Sequence, residues 1–187
     1  RDFTEKRGDP ALELNILNGK AVVDFDGNDG FSQTNKSMYN DLANGFTMFA
    51  VSRYDGTDSE RVISSSENWN WLFAGNSQYH TQVAYFNGWL YQGPNLEQDN
   101  NDWHIYEVTQ TNTDKGSVWL DTVNLLTNGT GSHNSNWRPK RMRFGGYRTG
   151  GQEESQCQIA EFLTFKRILS EEERLKVEGY LGLKWGL

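Results

Sequence analysis

The chain has 187 residues and a formal net charge of −7, which gives one domain with room for a core and no basic face for a nucleic-acid backbone. Only 35% of residues are hydrophobic, but 7 Trp, 8 Tyr and 10 Phe bury much area per residue, so a lean count still fills a core. No run of about 18 apolar residues reads as a membrane span, and a single cysteine, Cys157, excludes an internal disulfide.

Glycine is frequent (19) and proline scarce (3), a mix that suits many short strands joined by turns. Residues 1–20 are polar and end in the turn pair Asn18-Gly19. Ala21 to Phe25 reads as a strand, and Asp26-Gly-Asn-Asp-Gly30 turns out of it. One helical turn is expected around Met38 to Leu42. Gly45 to Arg53 is the clearest strand, and its near-continuous apolar character predicts burial on both faces. Tyr54 to Glu60 is an acidic loop, followed by a short strand at Arg61 to Ser64.

Two aromatic strands come next, Trp69 to Ala74 and Gln82 to Tyr91, and then a polar loop over 92–102. Trp103 to Gln110 alternates, with Trp103, Ile105 and Glu107 on one face and His104, Tyr106 and Val108 on the other. Ser117 to Asp121 and Asn124 to Thr127 are short strands around a turn at Asp121-Thr122. A long loop spans Asn128 to Pro139, and its basic run Arg138-Pro-Lys140-Arg141-Met-Arg143 reads as a solvated turn entering a strand at Arg141 to Tyr147. A Gly- and Glu-rich loop, Arg148 to Ser155, precedes the last strand, Gln158 to Phe165.

The chain closes on one helix. Ser170 and Glu173 form a capping box, and Glu171 and Glu172 fill the first turn, where negative charge suits the helix dipole. Val177, Leu181 and Trp185 recur at four-residue spacing, with Tyr180 beside them, so one face can dock. Glu171 to Glu173 and Arg174 are accounted for as cap and dipole partners. About ten strands at short intervals make this an all-β antiparallel sandwich with one C-terminal α-helix.

Four pieces in order carry a resemblance: Asn18 to Asp29 (NGKAVVDFDGND), Phe46 to Ser52, Asp102 to Tyr106, and Ile159 to Phe165 followed by Leu169 to Arg174 and Val177 to Leu181. Together they resemble a laminin-G-like module of the concanavalin A-like jelly-roll superfamily, in the version repeated in large secreted bacterial proteins and adhesins. The resemblance implies a two-sheet jelly roll, a single domain over 1–187, and a monomeric module of a long multidomain chain at the cell surface or outside the cell. Members usually begin with one further strand before the position of Arg1. The opening RDFTEKRGDP reads as a cut inside a longer protein, so that strand is absent or lies outside this fragment, leaving a sheet edge open. The fold itself fixes no ligand, because it also hosts lectins, glycosidases and lyases.

Glycosidases of this fold carry Glu-x-Asp-x-x-Glu on one strand. The nearest match, Glu97-x-Asp99-x-x-Asp102, ends on the wrong residue and reads as a loop, which would not hold two carboxylates at fixed spacing. His80, His104 and His133 share no zinc-ligand spacing. Cys157 reads as a plain buried or half-buried thiol. Asp24 to Gly30 resembles the start of a calcium loop, but its glycine is one place late and no glutamate closes it. Calcium takes about six to eight oxygens, and the densest supply is Asp99, Asn101 and Asp102. Aromatic faces with polar neighbours suit sugar rings. The best placed are at loop junctions: Glu67-Asn68-Trp69, Trp137-Arg138, and Tyr147-Arg148 with Gln152-Glu153. Arg148 suits a two-pronged contact to a carboxylate.

These residues lead to the expectation of a non-catalytic, calcium-dependent adhesion module that grips a glycan or short peptide on another cell or matrix through its rim loops. The alternatives are a polysaccharide-active glycosidase or lyase of the same fold, and a structural spacer.

Overall fold

The computed structural model describes residues 3–34, 38, 41–56, 60–67, 70–75, 82–86, 88–93, 101–112, 115–130, 139–148 and 150–187. Among them the strands are β1 Glu5–Arg7, β2 Ala11–Leu17, β3 Lys20–Asp26, β4 Gly30–Ser32, β5 Phe46–Tyr54, β6 Ile63–Ser64 and β7 Trp71–Phe73. They continue as β8 Gln82–Phe86, β9 Trp89–Gln92, β10 His104–Gln110, β11 Gly116–Leu120, β12 Val123–Gly129, β13 Arg143–Phe144 and β14 Gln156–Phe165, and the helix α1 is Glu171–Trp185.

The strands form two seven-stranded antiparallel sheets, as expected of a jelly-roll-type sandwich. The front sheet runs β1-β4-β13-β6-β7-β8-β9, and the back sheet runs β12-β11-β10-β5-β14-β3-β2. Between them lies the main core, with Phe25, Met48, Ala50, Trp71, Phe73, Phe86, Tyr106 and Val108. A second core of Val22, Phe49, Val51, Ile105, Leu181 and Trp185 joins the outer face of the back sheet to α1. This explains the unbroken apolar run of β5. Its even-numbered residues Met48 and Ala50 meet the front sheet, and its odd-numbered Phe49 and Val51 meet the helix.

The differences from the sequence reading have local causes. The segment before Asn18 holds two edge strands, β1 and β2, and β2 carries the alternating Leu12, Leu14 and Ile16, which are exposed. Gln82 to Tyr91 is two strands, turned at Gly88. The basic run is not a solvated turn throughout. Arg143 is fully buried in the front sheet, where Glu154 pairs with it at 2.8 Å. β14 pairs with β5 from Cys157 to Phe165, with a register shift between Ile159 and Glu161, and with β3 only over Gln156–Ile159.

The helix starts as its sequence requires: Glu173 N–H donates to Ser170 Oγ at 3.3 Å, and Ser170 N–H donates to a Glu173 carboxylate oxygen at 3.0 Å. Arg174, expected to serve the dipole, turns inward instead. Its Nη1 donates to Glu107 at 3.0 Å and to Glu178 at 2.9 Å, and its guanidinium lies 4.6 Å from the centre of the Trp119 ring. One cation therefore faces two buried carboxylates. Burial pushes the Glu107 carboxyl up to about 8, against the pull of Arg174 and with a further push from Glu178.

A carboxyl whose proton is held more tightly in the folded state makes that state less stable as pH rises between its unfolded and folded values. Over pH 6 to 8 the melting temperature is expected to fall, with Glu107 contributing at most about 1.4 kcal/mol per pH unit. In E107Q the slope in this range should flatten, as measured by calorimetry across the pH series. An unchanged slope would assign the proton to another group.

Candidate functional site

The best-defined cluster of polar and aromatic side chains lies where the front sheet meets the loops after β13 and before β6 and β7. Its geometry begins with two glycines. Gly145 and Gly146 have φ of 73° and 145°, and a Cβ on Gly145 would meet the Phe25 ring at 2.6 Å. This close approach lets the chain turn sharply out of β13 and deliver Tyr147. Tyr147 and Gln152 then exchange backbone hydrogen bonds of 2.6 and 2.9 Å, closing a short hairpin over 148–151.

Tyr147 is the base of the site. It is 6% exposed, and two guanidiniums lie on its ring, Arg61 at 4.2 Å and Arg148 at 4.9 Å from the centre. Arg61 is 7% exposed and well partnered. Its Nε donates to Glu153, and its Nη1 donates to Asn70 Oδ1 at 2.6 Å and to the Trp71 carbonyl at 3.3 Å. The Arg61 and Glu153 backbones are also joined at 2.9 Å. Asn70 reaches the Tyr85 hydroxyl at 3.5 Å, and Tyr85 meets Trp89 edge to face at 5.0 Å. Tyr85 and Trp89 are both partly exposed.

Arg148 differs from Arg61. Its backbone N–H donates to the Ser65 carbonyl at 2.8 Å, but its Nε is buried without a partner. Among the described residues its guanidinium has no hydrogen bond or ion pair. Both Arg148 (φ 56°) and Glu153 (φ 47°) adopt the left-handed conformation that L side chains rarely take. Glu67, two residues from Ser65, is held by Lys140 at 3.2 Å and Arg141 at 3.1 Å.

The structure thus brings Tyr147, Arg148 and Glu153 of the expected site together around Arg61, with Gln152 joined by its backbone and its side chain exposed, while Glu67 pairs instead with Lys140 and Arg141. Asn68, Trp69, Trp137 and Arg138 lie outside the described residues, as does Asp99 of the expected calcium set. Asn101 and Asp102 are exposed beside the start of β10. Among the described residues no group of three or more His, Cys, Asp or Glu converges as a metal site. Arg61 and Asn70 were not recognised from sequence. The available signal was an arginine opening an otherwise apolar strand, where a buried charge must find partners.

A smaller cavity of about 210 Å³ is lined by Asp24, Asp26, Arg53, Asp55, Gln156 and Gln158. Its carboxylates are used in holding the turn. Asp24 accepts from Gln158 Nε2 at 2.8 Å, and Asp26 accepts from the Asn28 N–H at 2.8 Å. Nearby Asp29 accepts from the Asp26 N–H at 3.2 Å, and burial, with Asp26 beside it, pushes its carboxyl up to about 6. Burial also pushes the Cys157 thiol up to about 12, so it is an inert core group, as expected.

No family model matches the sequence, and no curated protein matches it. Solved structures do match the fold. A mutant of Trypanosoma rangeli sialidase displaying trans-sialidase activity superposes with a TM-score of 0.63 at 13% identity, over 89% of this chain and 28% of its own. Trypanosoma rangeli sialidase in complex with 2,3-difluorosialic acid, a covalent intermediate, gives 0.57 at 16% identity, over 84% of this chain and 27% of its own. The binding domain of botulinum neurotoxin DC in complex with SialylT gives 0.58 at 12% identity, over 95% of this chain and 46% of its own. The chain therefore spans between about a quarter and a half of the solved chains it matches.

These neighbours correct the expectation of a non-catalytic adhesion module. The sandwich is shared with sialidases, so it gives no ground for a non-catalytic reading. The expectation rested on a missing carboxylate pair along one loop, Glu97 to Asp102. That absence does not bear on an enzyme whose reacting groups lie elsewhere in a longer chain.

Replacing Arg61 by alanine removes the cation that joins Glu153, Asn70 and the Tyr147 ring, and leaves the Trp71 carbonyl with one donor fewer. The expected loss is about 2–3 kcal/mol of unfolding free energy in urea titrations. E153Q, at a partly exposed partner, should cost less than about 1 kcal/mol. Equal effects from the two variants would show that Arg61 is not the centre of the cluster.

Proposed function

We propose that this chain works in a glycan-acting enzyme of the glycosidase class, of which it forms a glycan-holding β-sandwich. The observation that carries this reading is the match of nearly the whole chain to sialidase structures. Because the chain spans just over a quarter of those sialidases, the reading assigns it a share of such an enzyme and not the whole of it.

The site offers chemistry that suits this share. Tyr85 and Trp89 present partly exposed rings on which the apolar face of a sugar can lie. Asn70, Arg61 and Glu153 form a bonded polar array beside them for hydroxyl groups. The toxin binding domain, in complex with SialylT, supports glycan contact from a second neighbour.

The test is hydrolysis by the longest natural protein that contains this chain, on a panel of fluorogenic α-sialosides and neutral glycosides. Release of the fluorophore from at least one glycoside is expected, and a Y85A/W89A double variant should show a raised KM with kcat little changed. Failure to release the fluorophore from any member of the panel would overturn the enzyme reading.

A further inference from the structure

We propose that the small cavity on the outer face of the back sheet binds a zwitterion of the α-amino acid class. Arg53 takes its carboxylate, and Asp24, Asp26 and the Gln158 side-chain oxygen take its ammonium. The cavity shares no lining residue with the cluster on Tyr147, and the proposal does not depend on the glycan reading.

The sheet sets the placement. Phe49 and Val51 of β5 meet α1, so Arg53, of the same parity, projects from that outer face. Cys157 and Ile159 of β14 and Phe25 of β3 belong to the inner core, so Gln156, Gln158, Asp24 and Asp26 also project outward. Register puts these side chains next to one another. Gln158 lies between Asp24 of β3 and Arg53 of β5, and Gln156 lies beside Asp26. With Asp55 they line one cavity of about 210 Å³. Sites for drug-sized ligands run to roughly 300–1,000 Å³, so the occupant is small.

Two adjacent unbonded groups carry the proposal. Gln158 is 6% exposed. Its Nε2 donates to Glu13 at 2.9 Å and to Asp24 at 2.8 Å, which fixes the amide, because turning it over would set its oxygen against two carboxylates. Its Oε1 is left buried with no hydrogen-bond partner. The neighbouring Arg53 also has a buried Nε without a partner, and among the described residues its guanidinium has no ion pair. Buried polar groups left unbonded are costly, and a ligand that bonds them removes that cost. An acceptor and a donor side by side call for a ligand that carries a donor and an acceptor close together.

The charge of the lining fixes which donor and which acceptor. Asp24, Asp26 and Asp55 are set against one guanidinium. An ammonium suits the acidic side, since its N–H groups can be shared between Gln158 Oε1 and the two aspartates of β3. A carboxylate suits Arg53, whose planar fork meets it in two parallel bonds. A metal ion is disfavoured, because a guanidinium lines the cavity and no three acidic, histidine or cysteine side chains converge among the described residues. An ammonium and a carboxylate on one carbon form the smallest group that serves both sides.

The experiment is titration calorimetry of the chain with L-alanine, L-alaninamide, N-acetyl-L-alanine, glucosamine and calcium chloride. L-Alanine is expected to bind with a Kd in the micromolar to millimolar range. The amide keeps the ammonium and loses the carboxylate, and the N-acetyl compound does the reverse. Each should bind at least about tenfold more weakly. R53Q should lose a similar factor for L-alanine while its melting temperature holds or rises, because a buried donor without a partner is removed. D24N keeps an oxygen for Gln158 and loses the charge, and its affinity should fall likewise.

Equal binding of the amide or the N-acetyl compound overturns the proposal, as does glucosamine or calcium binding in place of L-alanine. Parent-like affinity in folded R53Q or D24N, or no binding at all, overturns it too. Should a variant fail to fold, the ligand series on the parent chain decides.

Discussion

A guanidinium taken out of water must meet partners of fixed geometry, and the candidate site is arranged around that demand at Arg61. The residue lies two positions before the short strand β6, where its backbone N–H donates to the Glu153 carbonyl at 2.9 Å. Its side chain then has to be satisfied from other segments. Glu153 comes from the hairpin before β14, Asn70 and the Trp71 carbonyl from the start of β7, and the Tyr147 ring from the end of β13. Segments far apart in sequence are thus registered against one cation. The loops at this end of the sandwich are held as a unit, which is the condition for presenting a ligand surface of constant shape.

Much of the fold was legible because its signals are local. The capping box at Ser170 and Glu173, the two-faced apolar run of β5 and the alternation of β10 each follow from rules that act within a few residues. The three-residue edge strand β1, Glu-Lys-Arg, has no apolar residue to mark it, whereas β2 does carry a local signal in the alternation of Leu12, Leu14 and Ile16. Arg143 and Arg174 were misjudged because burial of a charge depends on a partner distant in sequence, Glu154 through the hairpin and Glu107 across the helix–sheet interface. At the site, the junctions at Glu67 and at Tyr147 to Glu153 could be named, since turn-rich loops beside aromatics are a local signal. That Arg61 would link them could not, because nothing near it in the chain mentions Glu153 or Asn70.

The correction of the non-catalytic expectation has a physical lesson. Two packed sheets with loops at the rim set where chemistry can be placed, but not which chemistry. The same sandwich occurs in the sialidase and the toxin binding domain at 12–16% identity. The side-chain cluster on Tyr147 is more informative, because its distances and unmet hydrogen-bonding capacity limit what can fit.

The two carboxylates facing Arg174 also change how the charge of the molecule should be counted. The formal net charge of −7 takes every acidic side chain as ionised. With Glu107 holding its proton up to about 8, the folded chain at neutral pH is close to one unit less negative than that figure, while the unfolded chain is not. Folding therefore draws about one proton from solution. The heat of folding then includes the ionisation heat of whatever buffer supplies that proton, so calorimetric enthalpies differ between phosphate and Tris although the same contacts form.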